Sequence, residues 1–143
     1  MADTPRNWQD ALARLAEDPP EHPSEPRPED MEPWRQRIDA VDQVITALLN
    51  ERARFAAEIG HLKKRMDLPV YAPEREHQVL ENVLRANRGP LPEEAVRRLF
   101  ERIIDETRSL ERRLASRDNP ADNPPAGHQD AVPAPQSESR PKE

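Results

Sequence analysis

The stretch WRQRIDAVDQVITALLNERARFAAEIGHLKKRM, residues 34–66, decides the fold. Trp34, Ile38, Val41, Ile45, Leu48, Phe55, Ile59 and Leu62 follow one another in steps of four and three, broken only by Arg52. That spacing predicts a single amphipathic helix from about Trp34 to Met66, with these side chains on one face. Such a helix is about 50 Å long at the α-helical rise. A guanidinium in the middle of an apolar face is costly unless something anionic meets it. The alternative is that Arg52 sets the register of a coiled coil, as polar core residues do elsewhere.

Working outward, Leu68-Pro69-Val70-Tyr71 reads as an extended connector. A second helix starts at Pro73, with Glu74 and Glu76 in a first turn that favours negative charge, and passes through Val79, Leu80, Val83 and Leu84. Asn87-Arg88-Gly89-Pro90 stops it. A third helix begins near Pro92 and carries Val96, Leu99, Phe100, Ile103, Ile104, Thr107, Leu110 and Leu114. Nothing reads as a strand. One very long helix and two shorter ones suit an all-α fold, a three-helix protomer in which two copies intertwine to cover the long helix.

The flanks differ in kind. Of 17 prolines, 7 fall in residues 1–33 and 6 in 119–143. Residues 34–114 hold 16 Lys/Arg against 14 Asp/Glu, a balance of +2, so the flanks carry −8 of a chain whose net charge is −6. Acidic, proline-rich segments bury too little apolar surface to offset chain entropy, so residues 1–33 and 115–143 are expected to be disordered extensions. Within the first, Thr4 as N-cap, Pro5, Trp8, Leu12 and Leu15 predict a short helix over 5–17. The helical domain is therefore expected at 34–114.

Composition also excludes. The chain has no cysteine, hence neither disulfides nor thiolate chemistry. No apolar segment suggests a leader or a membrane span, and the expected compartment is the cytoplasm. The acidic balance argues against nucleic acid. His61-Leu62-Lys63-Lys64-Arg65, the one basic cluster, lacks aromatic interleaving. The histidines match no metal-ligand spacing.

Arg52, Lys63, Glu76, Thr107 and Glu111 are polar residues on or beside apolar stripes of three helices. Taken singly, Lys63 reads as a solvated helix end, Glu76 as a dipole partner, Thr107 as a core hydroxyl and Glu111 as an exposed acid. Brought together they form a small cavity suited to a compact carboxylate anion, because arginine meets carboxylate in a two-pronged fork. With no activated nucleophile, metal cluster or phosphate loop in view, any chemistry rests on positioning and electrostatics.

Four ordered segments resemble the all-α chorismate mutases: Trp34-Arg35-x-x-Ile38-Asp39-x-x-Asp42, Leu48-Leu49-Asn50-Glu51-Arg52, Ile59-Gly60-x-x-Lys63, and Pro69-Val70-Tyr71-x-Pro73-Glu74-Arg75-Glu76. The ending Phe100-x-x-Ile103-Ile104-x-x-Thr107-Arg108-x-Leu110-Glu111 resembles that family's third helix. The resemblance implies an isomerase of aromatic amino acid biosynthesis that rearranges chorismate to prephenate without a cofactor or metal, as an intertwined homodimer. By position it implies that Arg35, from the partner subunit, and Arg52 each bind a substrate carboxylate. Lys63 would bond the breaking ether oxygen, Glu76 would accept from the substrate hydroxyl, and Arg75 would support the anionic end. Thr107 would meet the ring carboxylate, and Glu111 would face the ether oxygen. The sequence departs at Ala72, where many relatives have Asp near the hydroxyl. The same fold also serves isochorismate pyruvate lyases. A further alternative is a regulatory or assembly module that binds another shikimate-pathway enzyme.

Overall fold

A computed structural model describes residues 7–117, all of whose regular elements are helical. They are α1 (Trp8–Leu15), a 3-10 turn (Pro28–Met31), α2 (Glu32–Arg65), α3 (Pro73–Ala86) and α4 (Glu93–Arg117). α4 packs on both α2 and α3, and α1 packs on α2. No described helix is long and apolar enough to cross a membrane.

α2 has 34 residues, with Pro33 in its first turn and Lys63, Lys64 and Arg65 in its last. Both ends suit the helix dipole. It closes in a Schellman arrangement: Leu68 N–H reaches Lys63 O at 2.8 Å, and Asp67 N–H reaches Lys64 O at 3.2 Å. Asp67 accordingly takes φ of +58°, which reverses the chain into the connector. α3 stops at Asn87, whose side chain donates to Leu91 O at 2.9 Å and accepts from Gly89 N–H at 3.0 Å.

The amino-terminal extension is more than a tail. α1 is capped by Asn7 and not by Thr4, which lies outside the described residues. Asn7 Oδ1 accepts from Gln9 and Asp10 N–H at 2.9 Å each. Ala11 and Ala40 are both fully buried, small side chains that let the two helices approach closely. Arg37 of α2 donates to Glu17 O at 3.1 Å and to Asp18 O, neutralising carbonyls just past the end of α1. His22 stacks on Trp34, with ring centroids 5.0 Å apart. The short helix expected over 5–17 corresponds to α1, which packs on a second face of α2 that carries Arg37 and Ala40, so the described protomer has four helices where three were expected. Of the expected carboxy-terminal tail, residues 115–117 belong to α4 and 118–143 lie outside the described residues.

The protomer buries little of its own apolar surface. Among the described residues the fully packed hydrophobic set is Ala11, Ala40, Val96 and Ile104. Meanwhile Ile38, Val41, Ile45, Leu48, Phe55, Ile59 and Leu62, the stripe that marks the long helix in sequence, are all between 39% and 67% exposed.

Candidate active site

Three helices and the connector converge on one cavity of about 240 Å³. α2 lines it with Arg52, Phe55, Ala56, Ile59 and Lys63, positions that fall on one helical face. The connector and α3 bring Val70, Ala72, Arg75, Glu76 and Val79. α4 brings Ile104, Thr107, Arg108 and Glu111, again one face at spacings of three and four. Six of the seven residues expected at the site (Arg52, Lys63, Arg75, Glu76, Thr107 and Glu111) therefore meet. Arg35 does not. It lies 17 residues before Arg52 on the same helix, about 25 Å along the axis at the α-helical rise, beyond the reach of any side chain.

The polar groups are held by specific bonds. Arg52 Nη1 donates to Thr107 Oγ1 at 2.9 Å, and that hydroxyl donates on to Ile103 O at 2.8 Å. Lys63 Nζ donates to Val70 O at 3.0 Å, pinning the connector to the end of α2. Arg75 Nη1 donates to Gln78 Oε1 at 2.6 Å. Glu76 accepts from Arg108, Nε lying 3.0 Å from Oε1. The Glu111 stem passes from α4 beside Gly60 of α2, where an added Cβ would meet Glu111 Cγ at an ordinary contact distance of 3.6 Å.

Four cations and two carboxylates line the cavity, a surplus of two positive charges when both acids are ionised. Arg52, Lys63 and Arg75 bond a hydroxyl, a carbonyl and an amide oxygen rather than a carboxylate. Burial lowers the Arg52 pKa, the like charge of Arg75 adds to this, and Glu111 opposes it. Arg52 stays cationic all the same, since guanidinium does not deprotonate in proteins. Burial pushes the Glu111 carboxyl above its ordinary range; Lys63, Arg108 and Arg52 pull it back, and Glu76 adds to the rise. Cations not committed to ion pairs, inside a half-closed cavity, form an electrostatic receptacle for a small dianion.

Arg108 and the Val70 carbonyl belong to the site although the sequence reading assigned neither a role. For Arg108 the signal was present: residues 104, 107, 108 and 111 share a helical face.

An all-helical receptacle for a small anion is the class that the fold and site define. Comparison with known proteins makes it specific. The family model for chorismate mutase type II matches residues 34–112, more than half of the chain, and the chain belongs to that family. It is 39% identical over 90 residues to a bifunctional chorismate mutase/prephenate dehydratase of Aquifex aeolicus, covering 60% of this chain and 25% of the relative. It is 48% identical over 82 residues to a protein of the same description from Neisseria gonorrhoeae, covering 57% and 22%. A T-protein of Enterobacter agglomerans is 46% identical over 46 residues, covering 32% and 12%. The chain thus spans about a quarter of the length of the first two curated relatives. No solved structure matched it. α1 and the 3-10 turn precede the matched segment.

Proposed function

We propose that this protein is a chorismate mutase, an isomerase converting chorismate to prephenate, and that residues 34–114 are its catalytic unit. The observation that carries this reading is the cavity with two surplus positive charges, whose lining residues lie within the family segment. Chorismate is a compact dianion, and its rearrangement is a Claisen reaction: the ether C–O bond breaks as a new C–C bond forms, with no external base or nucleophile. The protein must hold the folded conformer and answer negative charge that develops on the ether oxygen.

Within that reading Arg52 forks one carboxylate, and Thr107, already bonded to Arg52, meets the ring carboxylate. Arg75 supports the anionic end. Lys63 turns from Val70 O to the ether oxygen. Glu111, when protonated, donates to the same oxygen, and burial favours that protonated form. Glu76 accepts from the substrate hydroxyl.

The working species is an intertwined homodimer. The long exposed seam of α2 supports this, as does the distance of Arg35 from its own cavity. Antiparallel pairing of two α2 helices about residues 43–44 sets Arg35 of one protomer beside Arg52 of the other. It also buries Ile38, Val41, Ile45 and Leu48 against their counterparts. The relatives' second activities suggest a partner enzyme of the same pathway as a further association. Incubating purified protein with chorismate tests the activity: prephenate formation is expected. Inert chorismate would overturn the proposal, and pyruvate release from isochorismate would assign the fold's other reaction.

A further inference from the structure

Arg108 is absent from the substrate contacts assigned above, yet it ties three elements of the cavity together. From α4 its Nε donates to Glu76 Oε1 at 3.0 Å, and its Nη2 converges on the same oxygen. Its guanidinium lies over the Tyr71 ring of the connector, 5.0 Å from the centroid. Asp105 Oδ1 stands 3.7 Å from Nη1. The charge is already answered by two carboxylates and an aromatic face. The side chain is only 22% exposed. Arg52, Lys63 and Arg75 differ, because each can turn to an incoming anion without breaking an ion pair.

The geometry points to Arg108 as a positioning residue that aims Glu76 at the substrate hydroxyl, an inference that rests on the mutase reading. Glutamate has three side-chain torsions and populates several rotamers unless a partner selects one. Both Arg108 donors take Oε1, which leaves Oε2 to accept from a ligand. Ala72, four residues earlier in the cavity wall, offers only a methyl group, so among the described residues Glu76 is the carboxylate that α3 presents to the cavity. The stack on Tyr71 extends the restraint to the connector, whose Val70 carbonyl holds Lys63. One arginine thereby fixes an acceptor at one end of the site and the strand of chain that orients a donor at the other.

A double-mutant cycle on the full-length protein tests this: wild type, Arg108→Met, Glu76→Gln and the double variant, with thermal melts to confirm folding. Arg108→Met is expected to lower kcat about 10- to 100-fold with KM changed less than about threefold, as misplacement of a contacting group does. Arg108→Lys should restore part of the loss. In the Glu76→Gln background Arg108→Met should cost less than about threefold more, because the group it positions is gone. Additive losses would overturn the inference, and so would a raised KM with unchanged kcat, which would make Arg108 a direct substrate ligand. If Arg108→Met melts below the assay temperature, Arg108→Lys against Glu76→Gln completes the same cycle. Wild-type protein that leaves chorismate unchanged would overturn the mutase reading itself, a failure distinct from additivity.

Discussion

Residues 34–48 and residues 52–63 of α2 share one apolar stripe, but the two halves use it differently. In the first half the stripe is Trp34, Ile38, Val41, Ile45 and Leu48, with no charge among them, and an adjoining face, that of Ala40 and Arg37, receives α1. In the second half Arg52 interrupts the stripe, Lys63 follows it, and the neighbours are α4 and a cavity. In the proposed dimer the apolar stripe of the first half forms the subunit contact, because none of its side chains gains from water or from an anion. In the proposed mutase the second half serves the ligand, because its cations are held in place by neutral oxygens. A charge in an apolar stripe is therefore informative only with its surroundings: the same arginine at residue 45 would have served neither purpose.

A charge placed in the first half should break the comparison most severely. Ile45→Glu puts a carboxylate near the centre of the proposed α2–α2 seam, at a cost of about 3–5 kcal/mol for an uncompensated buried charge. Sedimentation should show monomer at micromolar concentration, and activity should fall with it as Arg35 leaves the partner's site. Unchanged sedimentation would place the dimer contact elsewhere.

In the second half, Arg52→Lys keeps the charge and loses the planar fork. The expected loss of transition-state stabilisation is about 2–4 kcal/mol in kcat/KM. Thermal stability should change far less, since Thr107 keeps its bond to Ile103 O. Near-normal activity would return Arg52 to the register-setting reading.

A smaller effect tests the face of α2 that receives α1. Ala11 is fully buried, so Ala11→Leu overpacks its contact and should lower stability by about 1–3 kcal/mol. Because α1 contributes nothing to the cavity, kcat/KM should be preserved below the melting range. A large loss of kcat/KM in a folded variant would give α1 a role in the site.

What was legible in the sequence follows the same division. The long helix could be read because its stripe repeats for nine positions without a proline, and α2 spans Glu32–Arg65 where about 34–66 was expected. The cavity residues could be read because charges stand out against apolar stripes. The short helix could be read from Trp8, Leu12 and Leu15, but a docked helix could not be told from a transient one, since Ala11, Ala40 and an arginine bonding main-chain carbonyls do not differ from background in composition. Arg108 itself stood on the readable face of Ile104, Thr107 and Glu111, but its pairing was hidden for another reason. Its partner Glu76 is 32 residues away, and a pair between helices leaves no periodic trace in either helix.

Glu111 gives the smallest expected effect. In the proposed site its protonated form donates to the ether oxygen, whereas its carboxylate repels the charge developing there. Burial is the largest influence and raises its pKa, with Lys63, Arg108 and Arg52 opposing. The rate should therefore rise as pH falls through the Glu111 pKa, until other groups fail. Glu111→Gln supplies a donor at every pH, so its profile should be flat over that interval, with a gain near neutrality of about 1 kcal/mol, the worth of one neutral hydrogen bond. Stability should respond with a matching sign. A carboxyl whose folded pKa is raised favours the folded state most below its unfolded value of about 4.3, and that contribution is lost as pH rises through the folded value. The melting temperature of Glu111→Gln relative to wild type should therefore climb across the same interval. Parallel rate profiles and parallel melting curves for the two proteins would show that Glu111 neither faces the reacting oxygen nor feels its burial.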